Sequence, residues 1–219
     1  MDWTPLWLSL RVSLTVTAVV AVTGTAGGYL LAKGRFRGRG LLEALASVPI
    51  VLPPTVLGYY LLVATGRDSV IGRAWESVVG APIVFTLTGA VLAASVASFP
   101  FCLRAARAAI EAVDPRLEAS ARALGLPEWR VALQVTLPLA WRGVLAGVAL
   151  SFARALGDFG ATVMVAGNIP GRTQTMPVAV YDAVQAGDDG RAALLALVLS
   201  AVAVAALAVI GRLGRSVVP

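Results

Sequence analysis

Five long apolar runs leave this chain few ways to fold. They cover about residues 6–32, 41–64, 83–103, 139–166 and 192–210. Each supplies roughly the 20 residues that a helix needs to cross ~30 Å of hydrocarbon. Inside lipid, every backbone N–H and C=O must find its partner within the structure, which favours helices for runs of this kind. Hydrophobic residues make up 58% of the 219-residue chain and charged residues 14%, where soluble domains carry about 25% charged residues. The expectation is an all-α, polytopic membrane helix bundle, a single domain over residues 1–219 with five transmembrane helices. A sixth, shorter or re-entrant segment around residues 176–186 is a second option. Residues 1–32 lack a basic start, are too long for a signal peptide and run into a stop-transfer-like basic cluster, so they read as a retained helix.

The same composition removes several function classes. There is no histidine and one cysteine, Cys102, which excludes Cys/His metal sites and any disulfide within the chain. Lys33 is the only lysine, and Gly34 follows it rather than Ser or Thr, so no phosphate-binding P-loop can be written. The chain reads as no enzyme, with no cofactor and no metal. Its net charge of +6 sits between apolar runs rather than on one soluble face, which points to membrane topology and away from nucleic acid. Lys33, Arg35, Arg37 and Arg39 follow the first run. Arg104, Arg107, Arg116, Arg122, Arg130 and Arg142 lie between the third and fourth, and Arg212 and Arg215 close the tail. The loops holding Arg67 and Arg73, or Arg172 and Arg191, carry as many acids or more. Basic and neutral loops alternate as five spans require, which puts the N-terminus outside and the C-terminus in the cytoplasm.

The spans are not uniform rods. Pro49, Pro53 and Pro54 interrupt the second, and Pro100 lies near the end of the third. Each proline frees a carbonyl that lipid cannot satisfy. Two readings stand: packing kinks, or a solute pathway beside a broken helix, with Pro53, Pro54 and Thr55 at its wall. Gly24, Gly27, Gly28, Gly143, Gly147 and Ser151 would let helices approach closely.

Between the third and fourth spans lies a charged insert, residues 111–138, that must leave the hydrocarbon. Asp114 followed by Pro115 starts a helix. Leu117, Ala121 and Leu124 recur on one face, and Glu118 and Arg122 form an i, i+4 pair on another. Gly125 ends the helix and Pro127 blocks its continuation. A second short helical run leads to Leu137 and Pro138 at the return to the membrane. Such an amphipathic piece could lie on lipid headgroups or dock into a protein groove.

The insert resembles the coupling loop of ABC importer permeases, whose pattern is EAA, three residues, Gly, nine residues, then Ile-x-Leu-Pro. Nine residues after Gly125 stand Val135, Thr136, Leu137 and Pro138, with Val in place of Ile. The front end departs by one residue. Ala119 takes the Glu position, Ser120 and Ala121 follow, and Glu118 lies just upstream. VPIVLPPTVLGYYLL (residues 48–62) and ALGDFGATVMVAGNIPGRTQTMPVAVYD (residues 155–182) resemble the molybdate-type permeases among the oxyanion importers, with sulfate and tungstate permeases close by. The resemblance covers nearly the whole chain. It implies a type I importer fold in a prokaryotic cell membrane and a homodimer of this chain. Two cytoplasmic ATPase subunits and an external binding protein that delivers the anion complete the implied assembly.

Within the fourth run, Arg154 and Asp158 stand i, i+4 apart and can pair, either as a lock on the bundle or as a transient attractor for a dianion with its neutralising partner. Thr55, Ser98, Ser151 and Thr162 offer hydroxyls. The loop with Arg172, Thr173, Gln174 and Thr175 reads either as a plain solvated loop or, by the resemblance, as a docking surface for the binding protein. A rival from another class, an ion-coupled secondary transporter, would need Asp158 as its titrating carboxylate. Its uptake would collapse with a protonophore at constant ATP.

Overall fold

The computed structural model describes residues 2–215, with side chains up to residue 212. The Arg215 side chain and the C-terminal end, both part of the charge argument, lie outside the described residues. Helices dominate, and no strand occurs among the described residues. In chain order they are α1 (Thr4–Lys33), α2 (Arg39–Val51), α3 (Pro54–Thr65), α4 (Val70–Val79), α5 (Leu87–Glu111), α6 (Pro115–Ala123), α7 (Glu128–Val131), α8 (Leu137–Leu156), α9 (Gly160–Ala166), α10 (Met176–Gln185) and α11 (Asp189–Arg215).

Four stretches are long and apolar enough to cross a membrane: Thr4–Lys33, Leu87–Glu111, Glu128–Leu156 and Asp189–Arg212. The bent pair α2 and α3 makes five. The second span is therefore not one kinked helix. Its halves meet at 116°, because Leu52 and Pro53 each precede a proline and are pushed into extended conformations, at ψ 138° and 136°. The third span begins at Leu87 rather than near residue 83 and continues without a break through Pro100.

The fourth span differs most from expectation. Helix runs on from Glu128 through a π turn at Ala132–Thr136 into α8, so Leu137 and Pro138 lie inside a continuous helix rather than at the start of one. The widened turn relieves the clash of the proline ring with the carbonyl behind it. At the other end, helix stops at Leu156, and Gly157 to Phe159 form a second break before α9. The optional sixth segment is α10, whose ten residues span only about 15 Å.

α5 is the centre of the bundle, with α1, α8, α9 and α2 against it. Small residues explain the closeness. Ala90, Ala94, Ser98, Cys102 and Ala106 repeat every fourth position along α5 and are fully buried. Gly24 and Gly28 of α1 lie on Cys102 and Ala106, and Gly143 and Gly147 of α8 lie on Ala109, Ala105 and Cys102. The Ser151 hydroxyl donates to the Ser98 carbonyl at 3.1 Å. Lipid supplies no hydrophobic drive between helices, so van der Waals contact and such hydrogen bonds hold the bundle.

Candidate functional site

Most of the basic residues gather at one end of the bundle, where α1 ends, α5 ends and α8 begins. Arg39 and Arg107 alternate with Glu43 and Glu111 there, tying α2 to α5. The insert forms a helix-turn on this end. α6 begins at Pro115, with the Asp114 carboxylate accepting from the Arg116 N–H at 2.9 Å. It closes in a Schellman arrangement: Gly125 N–H reaches the Arg122 carbonyl and Leu126 N–H the Ala121 carbonyl. Gly125 sits at φ 85°, where a side chain is strained.

The orientation of α6 overturns the sequence reading. Ala121 faces inward, but its neighbour there is Glu118, whose side chain is only 5% exposed. Leu117 and Leu124 point outward, and so do Ala119 and Ser120. Nor is Arg122 the main partner of Glu118. It lies 3.7 Å away and makes a two-pronged pair with Glu128 at 2.6 and 3.1 Å. Glu118 instead meets Lys33 at 2.8 and 2.9 Å and accepts from the Thr136 hydroxyl at 2.7 Å. Burial pushes the Glu118 carboxyl up, but the Lys33 and Thr136 hydrogen bonds and the charges of Lys33 and Arg122 together hold it below its ordinary value. Nothing in the sequence links positions this far apart. The one available hint was a lone lysine at a helix end. Leu137 and Pro138, placed in the coupling loop by sequence, open α8 just beyond Thr136.

The second constellation lies where the two broken spans meet. A side chain at Gly160 would come within 2.8 Å of Pro54 and 3.1 Å of the Thr55 nitrogen, and one at Gly58 within 2.7 Å of Met164. Absence of Cβ atoms is what lets α9 seat on α3. Pro53, Pro54 and Thr55 stay exposed at this seam. Asp158, just before α9, pairs with Arg154 at 2.8 Å and accepts from the Thr162 N–H and hydroxyl at 2.9 and 2.7 Å. The Asp158 carboxylate thus fastens α8 to α9. Its side chain is 1% exposed and that of Arg154 27%, so the cation is the member with access to the surface. Ser98, Ser151 and Thr162 are buried and hydrogen-bonded within the bundle.

At the opposite end, the loop after α9 corrects another expectation. Thr173, Gln174 and Thr175 are buried and do not offer a surface. Thr173 accepts from the Ile169 N–H, and Gln174 donates to Asn168 and Asp182, bracing the loop from inside. Arg172 alone of the four is exposed. It borders a cavity of about 870 Å³ together with Arg67, Asp68, Ser69, Phe85 and Ile169. Phe85 has φ 57°, an outlier for a bulky residue. It is held by its N–H on the Val165 carbonyl and by Gly167 against its ring.

Comparison with known proteins shows the family. The family described as "Binding-protein-dependent transport system inner membrane component" matches residues 24–218. The chain is similar to the molybdenum transport system permease protein ModB of Escherichia coli (strain K12), 42% identical over 215 residues, covering 98% of this chain and 94% of that one. ModB of Haemophilus influenzae is 44% identical over 176 residues, covering 78% and 77%. Among solved structures, a chain of the inward-facing MetNI methionine ABC transporter aligns over 100% of both chains with a TM-score of 0.71 at 19% identity. A chain of a bacterial ABC transporter that imports alginate aligns with a TM-score of 0.73 at 13% identity, covering 100% of this chain and 82% of that one. At these identities the structural likeness speaks for the fold alone, which is that of ABC importer permeases.

Proposed function

Because the chain belongs to the family of binding-protein-dependent transport system inner membrane components, we propose that it is the membrane-spanning permease subunit of an ATP-driven importer carrying molybdate into the cytoplasm. The observation that carries this reading is the near full-length similarity to molybdenum permeases. Two copies of the chain form the path, two cytoplasmic ATPase subunits drive it, and an external binding protein delivers the anion. The chain itself makes and breaks no covalent bond. Its basic end faces the cytoplasm, with the N-terminus outside and the C-terminus inside.

Residues 111–138 act as the coupling loop. Asp114 and Pro115 start its helix, and Gly125 ends it at the turn. Leu117, Ala119, Ser120 and Leu124 meet the ATPase, while Glu118 and Ala121 face the bundle. ATP-driven closure of the ATPase pair moves this loop, and the bundle alternates between inward-open and outward-open states. The seam of Pro53, Pro54 and Thr55 against α9 lies along the path, with Arg154 as an attractor for the dianion and Asp158 neutralising it between passages. Arg172 contributes to the face that receives the binding protein.

Reconstitution in proteoliposomes with the ATPase and binding protein tests this. Molybdate should stimulate ATP hydrolysis and enter the vesicles. Stimulation by sulfate or tungstate alone would move the assignment to a sister oxyanion, and uptake sensitive to a protonophore at constant ATP would replace the mechanism.

A further inference from the structure

α6 holds the bundle by an unusual grip. A surface helix ordinarily buries an apolar stripe, yet here Leu124 is exposed and Leu117 is only half covered, at a cavity it shares with Val113 and Leu139. The inward side consists of Ala121 and the carboxylate of Glu118. That carboxylate touches two different helices, one at its last residue and one at its π turn. Lys33 is the last residue of the thirty-residue α1. Thr136 is the last residue of the π turn, directly before α8. Lys33 thus ends a stiff rod about 45 Å long, while Thr136 sits within the helix that runs from Glu128 to Leu156.

We propose that Lys33, Glu118 and Thr136 form a clasp through which displacement of α6 is passed to α1 and α8 together. Glu118 is its positioning residue, and the clasp rests on the coupling-loop reading above. The geometry suits load transfer. A charge-assisted pair and a charged hydrogen bond are directional and short, whereas Ala121 and the half-covered Leu117 offer α6 little apolar contact by which to pull. Loss of the clasp should leave α6 able to bind the ATPase, since the outward residues are untouched, while its movement no longer reaches the spans.

The test uses the full assembly in proteoliposomes, with molybdate as the probe, and three variants. Glu118→Gln keeps the shape and removes the charge. Thr136→Val severs only the α8 arm. The exchange of Lys33→Glu with Glu118→Lys restores an opposite-charge pair in reverse. Glu118→Gln should capture the ATPase as the unmodified chain does, while molybdate imported per ATP hydrolysed drops roughly tenfold, the loss expected for one charge-assisted contact. Thr136→Val should lose part of that ratio, and the exchange should recover much of it. An unchanged ratio in Glu118→Gln with a lowered unfolding temperature would overturn the clasp and leave a structural brace. Lost ATPase capture in that variant would also overturn it, because α6 would then have detached. Failure of the unmodified chain to capture any ATPase would overturn the coupling-loop reading, and the clasp with it.

Discussion

Asp158 and Arg154 form a pair in the membrane, but the two members are unequal. Asp158 is buried and receives three hydrogen bonds, two of them from Thr162 across the helix break, while Arg154 keeps partial access to the surface. Asp158→Ala orphans the Thr162 donors and leaves a cation without its partner, so it should cost on the order of 3 kcal/mol. Arg154→Ala should cost less, about 1–2 kcal/mol, because the remaining carboxylate keeps its Thr162 donors and the lost cation was part-exposed. Unfolding midpoints in detergent give the order directly, and a larger loss for Arg154→Ala would contradict it. Glu118 adds a pH dependence. Its carboxyl is held below the ordinary glutamate value of about 4.3 by Lys33 and Thr136, with Arg122 and Tyr29 the other titratable groups around it. A depressed folded value means that the contribution is fully present above about pH 4.3. It drains away as pH falls through the folded value. Hydrogen-exchange protection of α6, compared with Glu118→Gln at matched pH, should differ by a constant amount down to that point and converge below it. Convergence already at pH 6 would show that Glu118 is not held as described.

Elements respond to backbone geometry more than to side-chain identity. At Gly125 an added Cβ would meet no neighbour, so the whole penalty of substitution is the left-handed backbone, about 1 kcal/mol or more. Gly125→Asp adds a negative charge at the C-terminal end of α6, where the helix dipole already disfavours anions. The bundle should stay folded, since its interfaces are remote, while binding-protein-stimulated hydrolysis is lost. Full stimulation in that variant would remove α6 from the mechanism. The seam between α3 and α9 has the opposite character. Gly58 lies against Met164 and Ala161, so Gly58→Val has nowhere to put its side chain and must separate the helices. Overpacking of this kind costs roughly 1–3 kcal/mol. It should lower both stability and uptake, whereas Gly58→Ala should do so less. Equal behaviour of the two variants would mean that the seam is loose.

At the scale of the molecule, the proposed importer takes its ATP hydrolysis from a separate subunit. No P-loop is encoded, so the rigorously purified chain should hydrolyse no ATP, and hydrolysis should return with the separate ATPase subunit. Robust turnover by the chain alone would sink the importer assignment. The outward leucines of α6 and the exposed rims of α3 also give the isolated protomer more apolar surface than a soluble protein tolerates. In this reading that surface belongs to lipid, to the second copy and to the ATPase. Crosslinks placed along α3 should therefore join two copies in native membranes, and their absence would speak against a shared path.

What the amino-acid sequence determined by itself is the class and the partition. Apolar length made five spans, because only closed backbone hydrogen bonding survives in lipid, and the basic residues marked one end of them. Local chemistry also sufficed for Asp114, Pro115 and Gly125, whose cap and turn are fixed within a few residues, and for the i, i+4 pair of Arg154 and Asp158. Tertiary structure decided the rest. Helical periodicity put Leu117, Ala121 and Leu124 on one side, but of the three only Ala121 is buried, beside a Glu118 held in by Lys33 and Thr136 far away along the chain. A buried carboxylate finds its cation through space, and no spacing rule reports that. Thr173, Gln174 and Thr175 looked like polar surface, yet all three went inside, Thr173 to satisfy the loop's own backbone and Gln174 to brace its neighbours. The prolines at 53 and 54 announced a break, but not that it would turn by 116°. Nor did they announce the second broken helix seated against it, because glycines at 58 and 160 leave room for α9 only once the bundle has closed.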